Sequence, residues 1–320
     1  MIKTLSIRFA VFVLPLLLLL GGLEYVQRHL PNNYTHKRQC LEAGLGQWET
    51  LVLGSSHGYL GVDPDYLPGK AFNLAYTAQT LYFDQFLLDK YLDSMPKLKR
   101  VILPISYGSL GAESYRNPGI YDKTFYYAQF YGSTAFTDWW DLERYSRVAL
   151  FTVKRSVDRT RSYYTTDDSL LECRPDGFYN LPFERDLETN AEESGTFHRL
   201  FFFEELIPTN LGYLDHIATR CAERGVRLYL ISTPVWPSYL AHTDSVHLQL
   251  TLAKIDSFAQ ANDLPYWNDM QDEAFAAADF YDANHLSAQG AATYTQRLRQ
   301  RIEQAEQTLS TSQVPLATDR

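Results

Sequence analysis

The chain opens with a nearly unbroken apolar run from Phe9 to Leu23, preceded by Lys3 and Arg8 and closed by Glu24. Further on, apolar residues come in short runs at 50–54 (TLVLG), 71–75 (AFNLA), 100–106 (RVILPIS), 227–233 (RLYLIST) and, more weakly, 264–267. None alternates strictly with polar residues, as expected of strands covered on both faces. Between them the apolar spacing predicts helices over 81–92, 209–224 (closed by Gly225), 245–261 and 288–306, the last with Ser287 as N-cap. Strands separated by helices predict an α/β fold with a parallel central sheet wrapped on both sides. Residues 107–205 break this rhythm and are too long for a simple connection. Rich in Tyr, Phe and Trp, they predict a mostly helical insertion, helical near 134–157, capping the carboxyl edge of the sheet.

A basic start followed by an apolar run is the pattern of an export signal. No small-x-small cleavage site follows it, which favours an uncleaved signal anchor over 1–24. The run itself is short for a span, but counting from Leu5 with Arg8 snorkelling it can cross a bilayer. Lys3 and Arg8 then lie in the cytoplasm and everything after Glu24 outside, as a single-pass inner-membrane protein with a periplasmic domain. A polar linker is expected over 25–48, the α/β domain over 49–307 and a loose Ser/Thr/Gln-rich tail over 308–320.

Composition narrows the function. Hydrophobic residues at 45% and charged residues at 21% fit a folded protein. A net charge of −9 without any Lys/Arg cluster excludes a nucleic-acid partner. Cys40, Cys173 and Cys221 have neither CxxC spacing nor a histidine cluster, so no metal and no cofactor is expected; one disulfide is allowed in an oxidising compartment. The 23 tyrosines suit a wet, sugar-like surface as well as they suit an ordinary core.

Two segments carry candidate chemistry. Gly54-Ser55-Ser56-His57 lies where the first strand ends, so a serine there presents its hydroxyl at the carboxyl edge of the sheet. Asp282-Ala283-Asn284-His285 precedes the last helix. A serine hydroxyl needs a base, histidine titrates near neutrality, and an acid three residues earlier can curl back to fix its tautomer. Either segment alone is an ordinary turn. His57 reads as a supporting polar contact, and His216 as a helix residue.

Together, a Gly-x-Ser block after strand one and Asp-x-x-His before the last helix resemble the SGNH (GDSL-like) hydrolase superfamily over about residues 50–305, the insertion excluded. Phe72-Asn73-Leu74-Ala75 with Ala78-Gln79-Thr80 is similar to the second block of that family. The resemblance implies a flavodoxin-like three-layer sandwich, Ser56 as nucleophile, His285 as general base and acid, and Asp282 as its orienter. It also implies an oxyanion hole from the N–H of Ser56 with Ala78, which stands where the family has glycine, and Gln79. Ser55 replaces the aspartate of the first block. The Gly-x-Asn-Asp of the third block is missing: this chain reads Ser106-Tyr107-Gly108, which leaves Gln79, Ser106 or Tyr107 as substitute donors.

With the anchor, the resemblance implies a cell-envelope enzyme that removes or transfers acyl groups, often acetyl, on surface polysaccharide. Its partners would be an acylated glycan or other ester, the membrane, and envelope-biosynthesis proteins. The competing readings are a catalytically retired glycan-binding or assembly protein on the same fold, and a lipase acting on membrane lipids.

Overall fold

The computed structural model describes residues 2–117, 119–166, 170–179 and 186–312. A five-stranded parallel sheet in the order β2-β1-β3-β4-β5 forms its centre. The strands are β1 (Thr50–Val52), β2 (Ala71–Asn73), β3 (Arg100–Pro104), β4 (Arg227–Ser232) and β5 (Tyr266–Asn268). That order, 2-1-3-4-5, is the flavodoxin-like arrangement, with a crevice at the carboxyl edge where β1 meets β3. Thr50 pairs with Ala71 on one side and Arg100 on the other, so β1 is held from both flanks.

Helices cover both faces. In chain order they are α1 (Ile2–His29), α2 (Asn33–Ala43), α3 (Ser56–Gly61), α4 (Leu81–Tyr91), α5 (Lys123–Tyr131), α6 (Arg147–Phe151), α7 (Val153–Thr165), α8 (Leu187–Leu200), α9 (Ile207–Glu223), α10 (Pro237–His242), α11 (Ser245–Ala261) and α12 (Ala288–Ser312). Successive strand residues point to opposite faces. Leu51, Leu53, Val101, Leu103, Leu228 and Leu230 enter one core, with α4 and α9. Val52, Ile102, Tyr229 and Ile231 enter the other, against Tyr294, Leu298 and Ile302 of α12. Both sets are buried, which is why the runs in the sequence are continuous rather than alternating. A two-stranded antiparallel hairpin, β6 (Phe280–Asp282) and β7 (His285–Leu286), stands apart from the sheet just before α12.

Three boundaries differ from expectation. Residues 25–48 are not a polar linker: α1 continues to His29, and α2 packs Tyr34 and Leu41 into the core. Lys37 of α2 is also buried, its Nζ donating to Ala75 O at 2.6 Å and lying over the Tyr59 and Tyr76 rings. A buried lysine packed on aromatic faces, its pKa lowered by burial to about 7, gives no apolar periodicity, so the segment looks like a linker on paper. The insertion is helical at α5, α6, α7 and α8, while residues 134–146 are turns, irregular chain and a short 3-10 turn. Helix α12 runs past Thr308 to Ser312, and the remainder of the expected tail, 313–320, lies outside the described residues. All three cysteines are free thiols. Asp63, Asp65 and Asp176 converge on Arg174, which ties the insertion to the turn after α3.

Because α2 belongs to the core, Leu41→Ala is expected to cost about 2–5 kcal/mol of stability. Denaturant unfolding checks this; an unchanged midpoint would return the segment to the status of a linker.

Candidate active site

The turn after β1 is shaped by two constraints. Gly54 has φ +100, and a Cβ there would meet Pro104 Cδ at 3.0 Å. Its N–H donates to Asp84 Oδ1 at 2.6 Å, an acceptor supplied by α4. The chain then turns directly into α3, with Ser56 as its first residue. Asn73, at the end of β2, holds α3 from beneath by donating to the carbonyls of Gly58 (2.7 Å) and Val62 (2.9 Å). Ser56 is therefore fixed at the carboxyl edge of the sheet, at the β1/β3 crevice.

The hairpin β6–β7 explains the Asp-x-x-His spacing. Asp282 and His285 are directly opposed across the two strands, which brings their Cβ atoms within about 5 Å. His285 Nδ1 lies 2.8 Å from Asp282 Oδ1 and 3.0 Å from Oδ2. Nδ1–H donating to that carboxylate leaves Nε2 as an acceptor, and Nε2 lies 2.7 Å from Ser56 Oγ. Asp282 also accepts from the Asn284 N–H at 3.0 Å. The hairpin is braced from outside: the Ala283 N–H donates to Asn190 Oδ1 of α8, and the Trp236 N–H donates to Ala283 O. Ser56, His285 and Asp282 thus form one hydrogen-bonded line, with the carboxylate buried and the serine open to a cavity of about 670 Å³.

The remaining expected residues separate. Ala78 lines the cavity with φ +58, so this position takes the left-handed conformation that glycine adopts without cost. Its loop runs beside the serine turn, with Tyr76 N–H donating to Gly54 O. Among the described residues no acceptor engages the Ala78 N–H. Gln79 also lines the cavity, but its backbone N–H donates to Tyr76 O. Its side chain donates to Asp84 Oδ1 and accepts from the Tyr127 hydroxyl, both at 2.6 Å. Gln79 is thus committed to scaffolding rather than facing a substrate oxygen. Tyr107 turns away into the core, its hydroxyl 3.4 Å from His247 Nδ1. Ser106 does line the cavity, paired with Ser109.

Several cavity residues carried no signal in the sequence. Asn117 and Asn190 reach it from the insertion, as does His198 of α8, whose Nδ1 lies 2.9 Å from the Tyr239 hydroxyl. Burial, with His285 adding, lowers the His198 pKa to about 4. Burial and then the nearby His285 also hold His57 well below the usual histidine range. His57 Nδ1 contacts Ser55 Oγ at 3.3 Å, a supporting position. Burial raises Asp84 to about 7 despite its two donors, and raises Glu113, which also feels Asp84, to about 7. An aspartate under the serine turn could be suspected only once α4 is seen to pass there.

No family model and no curated protein matches this chain. Among solved structures it is similar to a GDSL-like lipase of Bacteroides thetaiotaomicron, at 14% identity over 86% of this chain and 100% of that one, with a TM-score of 0.44. It is also similar to a proposed acylhydrolase of Bacteroides fragilis, at 11% identity over 84% of this chain and 95% of that one, with a TM-score of 0.43.

Two outcomes follow from this geometry. Ala78→Gly is expected to raise stability by about 1 kcal/mol by relieving the left-handed alanine; a loss of stability in thermal unfolding would refute the strain. Asp84 binds its proton more tightly folded, near 7, than its ordinary 3.8. Its contribution is therefore intact below pH 4 and is lost as pH rises towards and through 7, by up to about 4 kcal/mol. Asp84→Asn keeps an acceptor for Gly54, so its melting temperature should vary less than that of the wild type across pH 4–8, with the Glu113 share remaining.

Proposed function

We propose that this chain is a serine esterase or O-acyltransferase of the SGNH type. It would be anchored in the inner membrane by α1, with its α/β domain on the extracytoplasmic side. The observation that carries this reading is the continuous line from Ser56 Oγ through the His285 ring to Asp282. As Ser56 Oγ attacks an acyl carbonyl, His285 Nε2 takes the hydroxyl proton and the Asp282 carboxylate stabilises the imidazolium. The same proton then passes to the departing alcohol, leaving an ester on Ser56. Water or a second hydroxyl, deprotonated by His285, attacks that ester and restores Ser56.

The N–H of Ser56, the first of its helix and therefore without an intrahelical partner, and the N–H of Ala78 are the donors we assign to the developing oxyanion. Ser106 and Asn117 are the side-chain hydroxyl and amide candidates for the third position. The cavity volume falls within the roughly 300–1,000 Å³ of small-molecule sites. Its wall sets Ser106, Ser109 and Asn117 among Leu60, Ile120, Phe197 and Phe201, so it offers polar groups to a sugar and apolar ones to an acyl chain. Acetyl esters of cell-envelope polysaccharide are the substrates we infer. A helix with the length and hydropathy to cross a membrane supports the anchor, since the apolar window of α1 buries nothing inside the protein.

Ser56→Ala is expected to abolish fluorophosphonate labelling and to lower acetyl release from an activated ester by on the order of 10⁴-fold or more, with Asp282→Asn also severely impaired. Ester cleavage at the wild-type rate by folded Ser56→Ala protein would end the proposal. Undiminished acetylation changes on envelope glycans in cells carrying only that variant would remove the substrate assignment.

A further inference from the structure

The insertion does more than wall the cavity: α6 and α7 are bolted to the end of α1. The Glu24 carboxylate accepts from the Ser146 hydroxyl (2.8 Å), the Arg147 N–H (3.1 Å) and the Val148 N–H (3.0 Å), so a residue of α1 caps the first turn of α6. Gln27 Nε2 donates to Ser156 O and to Thr160 Oγ1 of α7, both at 2.9 Å. Arg28 donates to Tyr145 O, and Arg159 of α7 donates to Pro31 O. These contacts begin one residue past Leu23, the last of the apolar run. At 1.5 Å of rise per residue, Gln27 lies only about 6 Å along α1 from Leu23. The headgroup layer on each side of a bilayer is about 5–8 Å deep, so α6 and α7 stand at its height.

The surface they present there is apolar and aromatic. Trp139, Trp140 and Leu142 are 75%, 59% and 70% exposed, in the segment leading into α6. On α7, Val153, Val157 and Tyr164 are likewise exposed along one stripe, at i, i+4 and i+11. Arg161 borders the same stripe and Lys154, paired with Asp158, lies beside it, and α7 as a whole carries more positive than negative charge. Tyr25 is exposed on α1 itself. Tryptophan and tyrosine at the exit of an apolar helix match the composition of a membrane interface; Trp139 and Trp140 lie between Asp138 and Asp141, and the basic residues that suit anionic headgroups are those of α7.

We propose that this face of the insertion rests on the lipid surface beside the anchor, as a second, interfacial membrane contact. It would fix the orientation of the domain over the bilayer instead of leaving it tethered by one helix. The inference rests on the reading of α1 as a span, and the test separates the two.

Full-length protein is reconstituted in vesicles of phosphatidylcholine and phosphatidylglycerol, with and without brominated phosphatidylcholine, and tryptophan emission is read. Trp48, Trp236 and Trp267 pack against the cores of the α/β domain, leaving Trp139 and Trp140 as the tryptophans on the proposed face. Brominated lipid should quench the wild type, and most of that quenching should vanish in Trp139→Ala/Trp140→Ala. Quenching should also weaken in Val157→Asp, which leaves both tryptophans in place. Protein that resists alkaline carbonate extraction but is quenched equally in wild type and double variant, or not at all, would overturn the interfacial contact while sparing the anchor. Protein that washes off and is not quenched would overturn both.

Discussion

A hydroxyl and an imidazole separated by 229 residues meet at 2.7 Å, and the rest of the molecule is organised around that contact. The serine turn cannot drift, because Gly54 is pinned between Pro104 and the Asp84 carboxylate and α3 is held by Asn73. The histidine cannot drift either, because it opposes Asp282 across a hairpin that Asn190 of α8 and Trp236, just before α10, brace from outside. Rigidity of this kind is what a proton relay requires, since a misplacement of about 1 Å can cost orders of magnitude in rate.

The surroundings would leave the proposed relay electrostatically unopposed. His57 and His198 lie near His285, and burial drives both towards the neutral form, so neither adds positive charge beside it. Asp84, which lines the cavity, and its neighbour Glu113 are shifted in the same sense, towards protonation. A carboxylate charged there would compete with Asp282 for the field across the site. The cost of burying the two carboxyls falls on stability and rises with pH, while that of the two histidines rises as pH falls.

The insertion is the part of the molecule that gives the sheet its particular use. Its helix α5 supplies the Tyr127 hydroxyl that locks Gln79, and α8 supplies Asn190 and His198 to the cavity. Through α6 and α7 it also meets α1 at Glu24 and Gln27. One subdomain therefore contacts the cavity at one end and the apolar helix at the other. That arrangement links the position of the cavity to the position of the proposed anchor.

The sheet was legible from the chain itself. Short continuous apolar runs bounded by turn residues fit strands covered on both faces, and their order with intervening helices leaves few topologies. The apolar N-terminal run, and the serine and Asp-x-x-His segments at the loops after strand one and before the last helix, could be read in the same way because each is local. What the chain could not disclose was everything that depends on distant segments coming together. The burial of Lys37 between Tyr59 and Tyr76, the engagement of Gln79 by Asp84 and Tyr127, the burial of Tyr107 away from the cavity, and the arrival of Asn117 and His198 from the insertion leave no periodic trace. A polar side chain reads the same on paper whether it faces water or a partner a hundred residues away, and only packing decides which.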